Sequence, residues 1–375
     1  MKKSFYVFSI LLISIAITPN SVSGQSFNYY FGNLHAHTAY SDGNKDSVAS
    51  RSKTPADCYK YAKQAQHFDF LGISEHNHSQ AKMHLANYAK GLQQAKDANT
   101  DNRFVALYGM EFGVIKNGGH VLVYGLDKLV GWEPNNYDTF CDKFDYATLW
   151  KIIRSTPNAF ATLAHPDDSD YSQLANNRYQ RSTEKAIAGV ALITGPAFST
   201  TTNYSDKPRS ELNAYYKKLL ALGYMVGPTI DHDNHNTTFG RTTPGRTVIL
   251  AQALDKDSII YAYRARRFYA SQDWNTKVNF TINGAPMGNF LKRTDKAIIS
   301  ASITDEDNID KTKTIKIFYG VPGSRQIASE LQTISNKESL ELTEQIEKGK
   351  TYYYYLEITQ KDGDKIYTAP IWVQN

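Results

Sequence analysis

The histidines and carboxylates of this 375-residue chain lie where short β-rich runs begin or end, and this placement constrains the fold more than any other feature. Apolar runs such as Phe31–Leu34, Phe68–Ile73 and Phe104–Met110 alternate with helical patterns up to about residue 270. That alternation is typical of an α/β domain with a largely parallel sheet or barrel. Because the carboxyl ends of parallel strands meet at one edge, the sequence predicts that these side chains gather in one place.

The residue types in these clusters are those of a metal site. His35 and His37 stand two residues apart at a strand end, where a period of two directs both side chains to the same side. Asp42 follows in a Ser-Asp-Gly turn that can fold back over them. The other candidates are His76, Glu111, His120, His165, and either Asp231 with His232 or Asp233 with His235. Nitrogen and carboxylate ligands with almost no sulfur favour zinc, manganese or iron.

Taken together and in this order, the motifs resemble those of the PHP (polymerase and histidinol phosphatase) superfamily of metal-dependent phosphoesterases. The matching segments fall within residues 28–274 and are His35–Gly43, Ser74–His76, Gly109–Phe112, Gly118–His120, Ala164–Pro166 and Asp233–His235. The resemblance implies a distorted (β/α)7 barrel of the TIM-like kind and favours Asp233 with His235 over the alternative pair. The stretch from Gly227 to His235 is similar to a secreted or periplasmic branch that includes carbamate and ester hydrolases.

The resemblance also implies two or three divalent ions, zinc, manganese or iron, and assigns their ligands. The implied groups are His35, His37, Glu111 and Asp233 around one ion, Glu111, His120 and His165 around a second, and Asp42, His76 and His235 around a third. The implied catalyst is a hydroxide that bridges the ions and is held by Glu111 and Asp233. Glu75 stands where many members have aspartate, and is expected to support the ligands rather than bind metal.

The function expected from these motifs is hydrolysis of a phosphomonoester or phosphodiester, with a small-molecule or oligomeric substrate. Arginine binds phosphate in a bidentate manner, so Arg241, Arg246 and Arg267 are candidate substrate contacts. The same site also suits a carboxylic ester, amide or carbamate. A third reading is a non-catalytic protein that binds polysaccharide or the cell envelope. The net charge of +5 comes from scattered residues, which argues against a nucleic-acid partner.

The amino terminus and the last hundred residues differ from the rest of the chain. Two lysines precede the apolar run Phe5–Ile17, so residues 1–24 read as a signal peptide, and the mature protein is expected in the periplasm or medium without a membrane span. Residues 25–274 are the predicted hydrolase domain. Residues 275–375 contain alternating strands and turn signals, which predict a separate all-β, immunoglobulin-like sandwich. Cys58 and Cys141 could form at most one disulfide, and the sequence does not decide whether they pair.

Overall fold

The computed structural model describes residues 26–115, 117–208 and 210–375, so the predicted signal peptide lies outside the described residues. Strands make up 35% of the structure and helices 20%. The strands β1 to β22 are, in order, Asn28–Asn33, Phe70–His76, Val105–Phe112, Val121–Tyr124, Val130–Gly131, Thr139–Phe140, Phe160–Leu163, Ile187–Thr194, Ser210–Glu211, Gly227–Asp231, Arg246–Ala251, Phe268–Ser271, Lys277–Ile282, Ala285–Pro286, Phe290–Lys292, Lys296–Thr304, Thr312–Gly320, Ser329–Ser335, Ser339–Gln345, Thr351–Gln360, Lys365–Thr368 and Ile371–Gln374.

The helices are short and lie mainly between the strands of the first 270 residues. Helices α1 to α8 are Ser47–Ser50, Pro55–Ala62, Leu85–Ala98, Tyr146–Ser155, Asp170–Gln173, Arg181–Glu184, Asn213–Leu222 and Lys256–Arg264, and Ser79–Ala81 and Leu174–Asn176 are 3₁₀ helices. Helix α2 begins at the predicted Pro55, because Thr54 and Asp57 form a reciprocal capping box. None of the described helices has the length and apolar character needed to cross a bilayer.

One large mixed sheet dominates the structure. Its strands follow the order β10-β8-β7-β4-β3-β2-β1-β11-β12-β21-β20-β17-β18. Strands β1, β2 and β3 are parallel neighbours, as are β7, β8 and β10, but β4 runs antiparallel to both β3 and β7. Strands β11 and β12 continue the sheet beyond β1 with antiparallel pairing.

The predicted (β/α)7 TIM-like barrel is therefore wrong, because the chain forms a mixed sheet with few helices. The connection from β3 to β4 shows one physical reason. Only residues 113–120 separate these strands, fewer than the dozen or so that a parallel crossover needs. Gly113 and Gly119 have φ values of 115° and 106°, which lets the chain turn back at once into an antiparallel strand.

The carboxyl-terminal strands share a sheet and a core with the rest of the chain. Strand β12 pairs with β21, which places Ala270 opposite Tyr367 across the predicted boundary near residue 274. A four-stranded sheet, β14-β13-β16-β19, contributes Phe280 and Ile299 to the same hydrophobic cluster as Phe31 of β1. Cys58 and Cys141 are both buried free thiols, so they form no disulfide in this structure.

The sheet curls so that the segment after β10 lies beside the segment after β1. The backbone N–H of Asp233 donates to the carbonyl of His35, and the N–H of His37 donates to the carbonyl of Asn234. The side chain of Thr247 in β11 also hydrogen-bonds to the backbone of Ile230 in β10, although these two strands are not neighbours in the strand order. The ends of β1, β2, β3 and β10 are thereby brought together around one buried space.

Candidate metal centre

The nine predicted ligands come together at this edge of the structure. Neighbouring members of the cluster have ligand atoms 2.8 to 3.6 Å apart. Three groups have ligand atoms that all lie within 4.8 Å of one another, and they are His35, His37, Glu111 and Asp233; His76, Glu111 and His120; and His37, Asp42, His76 and His235. These buried groups could each hold a metal ion.

Strand register explains why the cluster forms from residues so far apart in sequence. His76 is the last residue of β2 and lies directly opposite Glu111 in the parallel strand β3. His35 and His37 follow β1, whose neighbour is β2, and their rings lie 5.3 Å apart. His120 precedes β4, and its carbonyl accepts from Ala164, next to His165. Most of the ligands thus stand at or near a strand terminus at the same end of the sheet, and Asp42 lies in the loop that follows β1.

Glu111 lies at the centre of the cluster. Its two carboxylate oxygens are 2.8 to 3.2 Å from ring nitrogens of five histidines, His35, His37, His76, His120 and His165. Burial alone would raise the pKa of the Glu111 carboxyl, but His120, His35 and His76 hold that pKa well below its usual range. The carboxylate is therefore ionised and shared among the surrounding imidazoles.

Asp233 and Asp42 lie on two sides of this centre. Asp233 Oδ1 is 3.1 Å from His35 Nε2 and 3.2 Å from His37 Nε2. Asp42 Oδ1 is 3.3 Å from His235 Nε2 and 3.6 Å from His76 Nε2. Burial lowers the pKa of the His37 ring, but hydrogen bonds to Asp233 and Glu111 outweigh it and raise that pKa to about 10.

Some ring nitrogens in the described part of the cluster lack hydrogen-bond partners in the way expected of metal ligands. Several buried atoms of the cluster have no hydrogen-bond partner among the described residues, namely both ring nitrogens of His35, and the Nδ1 atoms of His37, His76 and His120. His120 Nδ1 is only 2.8 Å from Glu111, so this contact is short without having hydrogen-bond geometry. Burial lowers the pKa of His76 to about 3, which keeps its ring in the neutral form that binds metal. The residues present therefore have the chemistry of ligands for a metal ion.

Glu75 supports the ligands without joining them, as expected from the sequence. Its buried carboxylate accepts hydrogen bonds from the backbone N–H of Thr38 and from the hydroxyl groups of Thr38 and Ser41. These bonds hold the loop between His37 and Asp42 against β2.

Asp231 lies next to His35, a position that the sequence pattern does not assign to it. Its Oδ2 lies 3.5 Å from Nδ1 of His35, the ring nitrogen that faces away from Glu111, and its Oδ1 accepts from Thr229. Thr229 and Asp231 are two residues apart and therefore lie on the same face of β10. This spacing is the sequence signal that could have predicted the position of Asp231. His232 points elsewhere, because its buried Nε2 hydrogen-bonds to the carbonyl of Gly245 at 2.7 Å.

We expect Asp231→Asn to weaken metal binding about 10–100-fold, the usual effect of removing a carboxylate that orients a ligating histidine. Metal content after dialysis against graded chelator would measure this. Asp257, in the first turn of α8, offers a matched Asp257→Asn control that should bind metal as the wild type does. Unchanged affinity in Asp231→Asn would show that His35 is oriented by other contacts.

The three candidate arginines do not join this cluster. Arg246 is fully buried, and its guanidinium donates to the carbonyls of His67, Thr243, Gly245, Gln66 and Gly240. Arg241 packs 4.1 Å from the Tyr61 ring and donates to Gln64, and Arg267 packs over Phe27 and Tyr261. The backbone carbonyls and side chains that contact these arginines are not among the nine ligands.

A different cation stands at the mouth of the cluster. Lys45 Nζ lies 3.4 Å from Asp42 Oδ2 and 4.6 Å from the ring centroid of Phe198. The Phe198 ring is 4.8 Å from that of His235, and the side chain is 63% exposed. A cavity of about 340 Å³ is lined by His120 and His165, among other residues.

Comparisons with known proteins give no function. No family model matches the chain. An uncharacterized protein of Chlamydia pneumoniae is 23% identical over 305 residues, which cover 75% of this chain and 48% of that protein. Uncharacterized proteins of Chlamydia trachomatis and Chlamydia muridarum are each 24% identical over 185 residues, 45% of this chain and 30% of theirs. The chain thus spans half the length, or less, of the curated relatives it matches.

Comparison with solved structures also identifies neither a related fold nor a function. A superoxide reductase (neelaredoxin) from Ignicoccus hospitalis aligns over 27% of this chain and 80% of its own at 10% identity, with a TM-score of 0.21. An engineered protein aligns over 92% of this chain and 94% of its own at 8% identity, with a TM-score of 0.23. Scores this low support no argument about fold or function.

Proposed function

We propose that this protein is a metal-dependent hydrolase that acts on a phosphoester. The proposal rests on one observation, the placement of five imidazoles within 3.2 Å of the Glu111 carboxylate. The three ligand groups share members, because His37, His76 and Glu111 each belong to two of them. Divalent ions held by such a set supply Lewis acidity and lower the pKa of water. Zinc, manganese and iron match the nitrogen and carboxylate donors.

One cation beside the ligands, Lys45, suits an anionic substrate, although Asp167 and Asp170 line the cavity next to His165. The ammonium group of Lys45 at the mouth would attract a phosphoryl group, and its salt bridge with Asp42 holds it beside the cluster. Phe198 offers an exposed ring on which an apolar or aromatic part of the substrate would pack. His165, with its side chain 23% exposed, is the ligand that borders the cavity most openly.

We further propose kinship with the PHP hydrolases and a place of action outside the cytoplasm. The first idea is supported by the order of the motifs and by the meeting of their residues around Glu111; it does not depend on a barrel. The second is supported by the signal-peptide pattern of residues 1–24 alone.

The proposal is tested by supplying zinc, manganese and iron separately to chelator-treated protein. We expect metal-dependent hydrolysis of p-nitrophenyl phosphate or bis(p-nitrophenyl) phosphate, with inhibition by inorganic phosphate. Lys45→Ala should raise KM for the phosphate substrates, whereas Lys53→Ala, a change of an exposed lysine outside the cluster, should not. Hydrolysis of p-nitrophenyl acetate alone would reassign the site to carboxylic esters, and no metal-dependent turnover on any of them would contradict the proposal.

A further inference from the structure

A second group of carboxylates lies far along the chain from the metal centre, in the connection between β16 and β17. Asp305, Asp307 and Asp310 each place a carboxylate oxygen within 4.8 Å of the others. The hydrogen bonds that they accept come from the backbone N–H groups of Asp310 and Ile309 and from the side chain of Asn275. The Asp305 and Asp307 carboxyl groups also contact each other, although both are acidic.

Two buried oxygen atoms at this group have no partner. Asn275 is 2% exposed, and its Nδ2 donates to Asp307 Oδ2 at 2.8 Å while its Oδ1 has no hydrogen bond among the described residues. Asp305 is 8% exposed, and its Oδ1 is likewise without a hydrogen bond. Leaving a buried acceptor unsatisfied is unfavourable, so such an atom usually has a partner such as water or an ion. Asn275 is in the segment between β12 and β13, so it reports on the site independently of the acidic loop.

Other carboxylates lie close to Asp310. Burial and the nearby carboxylates of Asp362 and Asp273 raise the pKa of Asp310 to about 6. Like charges gathered in this way destabilise the fold unless a cation lies among them.

We propose that Asp305, Asp307 and Asp310, with the side-chain oxygen of Asn275, form a calcium site. All of these donors are oxygen, the ligand that Ca²⁺ prefers, whereas the metal centre around Glu111 is rich in imidazole nitrogen. Ca²⁺ takes six to eight oxygen ligands at flexible geometry, so water and loop carbonyls would complete its shell. The bound ion would join the β16–β17 connection to the segment that follows β12, where the predicted hydrolase region ends.

The experiment uses Ca²⁺ alone, added to chelator-treated full-length protein and followed by calorimetry and by thermal unfolding. We expect one Ca²⁺ per chain with a dissociation constant on the order of 10⁻⁵–10⁻³ M and a rise in the unfolding temperature. Asp307→Asn should weaken binding at least about tenfold, because it removes one charged ligand. Glu306→Gln is the matched control, since Glu306 is in the same loop but pairs with Lys277, and it should bind Ca²⁺ as the wild type does.

Thermal unfolding separates loss of the site from loss of the fold. In chelator, Asp307→Asn should unfold at a slightly lower temperature than the wild type, because the Asp307 carboxylate accepts hydrogen bonds from Ile309 and Asn275. Saturating Ca²⁺ should widen this difference, because only the wild type should gain stability from the ion. Terbium would give a second reading, since Trp274, beside Asn275 in sequence, can sensitise its luminescence. Absence of Ca²⁺ binding by the wild type, or equal binding by Asp307→Asn, would overturn the proposal.

Discussion

Glu111→Ala is expected to abolish metal-dependent turnover and to remove most of the bound metal. The carboxylate is the only group in the cluster that contacts five imidazoles among the described residues. Its loss removes a ligand from two of the three ligand groups. The effect should exceed the roughly 10–100-fold cost of losing a group that merely orients a ligand. Elemental analysis and turnover of the same sample would measure both losses.

A stability measurement distinguishes lost binding from misfolding. Metal at about 100 times its dissociation constant should stabilise the wild type by about 2.7 kcal/mol, and Glu111→Ala by far less. Glu111→Gln should behave in the same way, because it keeps the shape of the side chain and removes its charge. Glu341→Ala, a change on an exposed part of β19, should leave metal content and turnover intact. Wild-type turnover by Glu111→Ala would contradict both the centre and the proposed reaction.

Gly43→Ala should damage the same centre through the backbone rather than through a ligand. A Cβ at Gly43 would lie 2.3 Å from the backbone carbonyl of His37 and 2.6 Å from the nitrogen of Thr38. Because neither atom can move without shifting His37 and Asp42, we expect a loss of about 1–3 kcal/mol in the free energy of unfolding. Metal affinity should fall as well, and chemical denaturation together with metal titration would measure both effects.

Gly245→Ala is the control for this change. Gly245 is also buried, but the nearest atom to its added Cβ would be 3.4 Å away in the side chain of Ile230, an ordinary contact. It should lose little stability and retain its metal. Equal behaviour of the two variants would show that the turn after His37 does not depend on glycine.

The membership of the site could be predicted from sequence because its chemistry is local. His35, His37 and Asp42 are within one short segment, and His76 and Glu111 each end or nearly end an apolar run, so strand ends and ligand types are visible without any knowledge of the fold. Parallel pairing of β1, β2 and β3 then suffices to bring four of these residues together.

The architecture could not be predicted in the same way, because strand direction depends on connections. The alternation of strands and helices predicts a largely parallel sheet, yet the glycine turn before β4 reverses the chain. The sequence pattern also does not mark β11 and β12 as strands. Both of these strands are fully buried runs, and their place beside β1 is set by long-range packing rather than by a local signal.

The prediction that arginines contact the substrate depends on burial, which the sequence does not show. A sequence shows the charge of Arg246 but not its burial, and the structure places its guanidinium among five backbone carbonyls. The sequence does not indicate that Lys45 lies near the cluster, because a single lysine in a polar loop is common. Its proximity to Asp42 and Phe198 becomes visible only when the loop is folded over the cluster.

The hydrogen bond between His37 and Asp233 joins residues 196 positions apart. During translation, the last ligands of the centre are therefore synthesised only near the end of the first two thirds of the chain. Any fragment that ends before Asp233 would lack that ligand. Contacts of such long range form slowly and late in folding. A complete set of ligands would then require a polypeptide that extends at least as far as His235, and a shorter product would lack part of the metal centre.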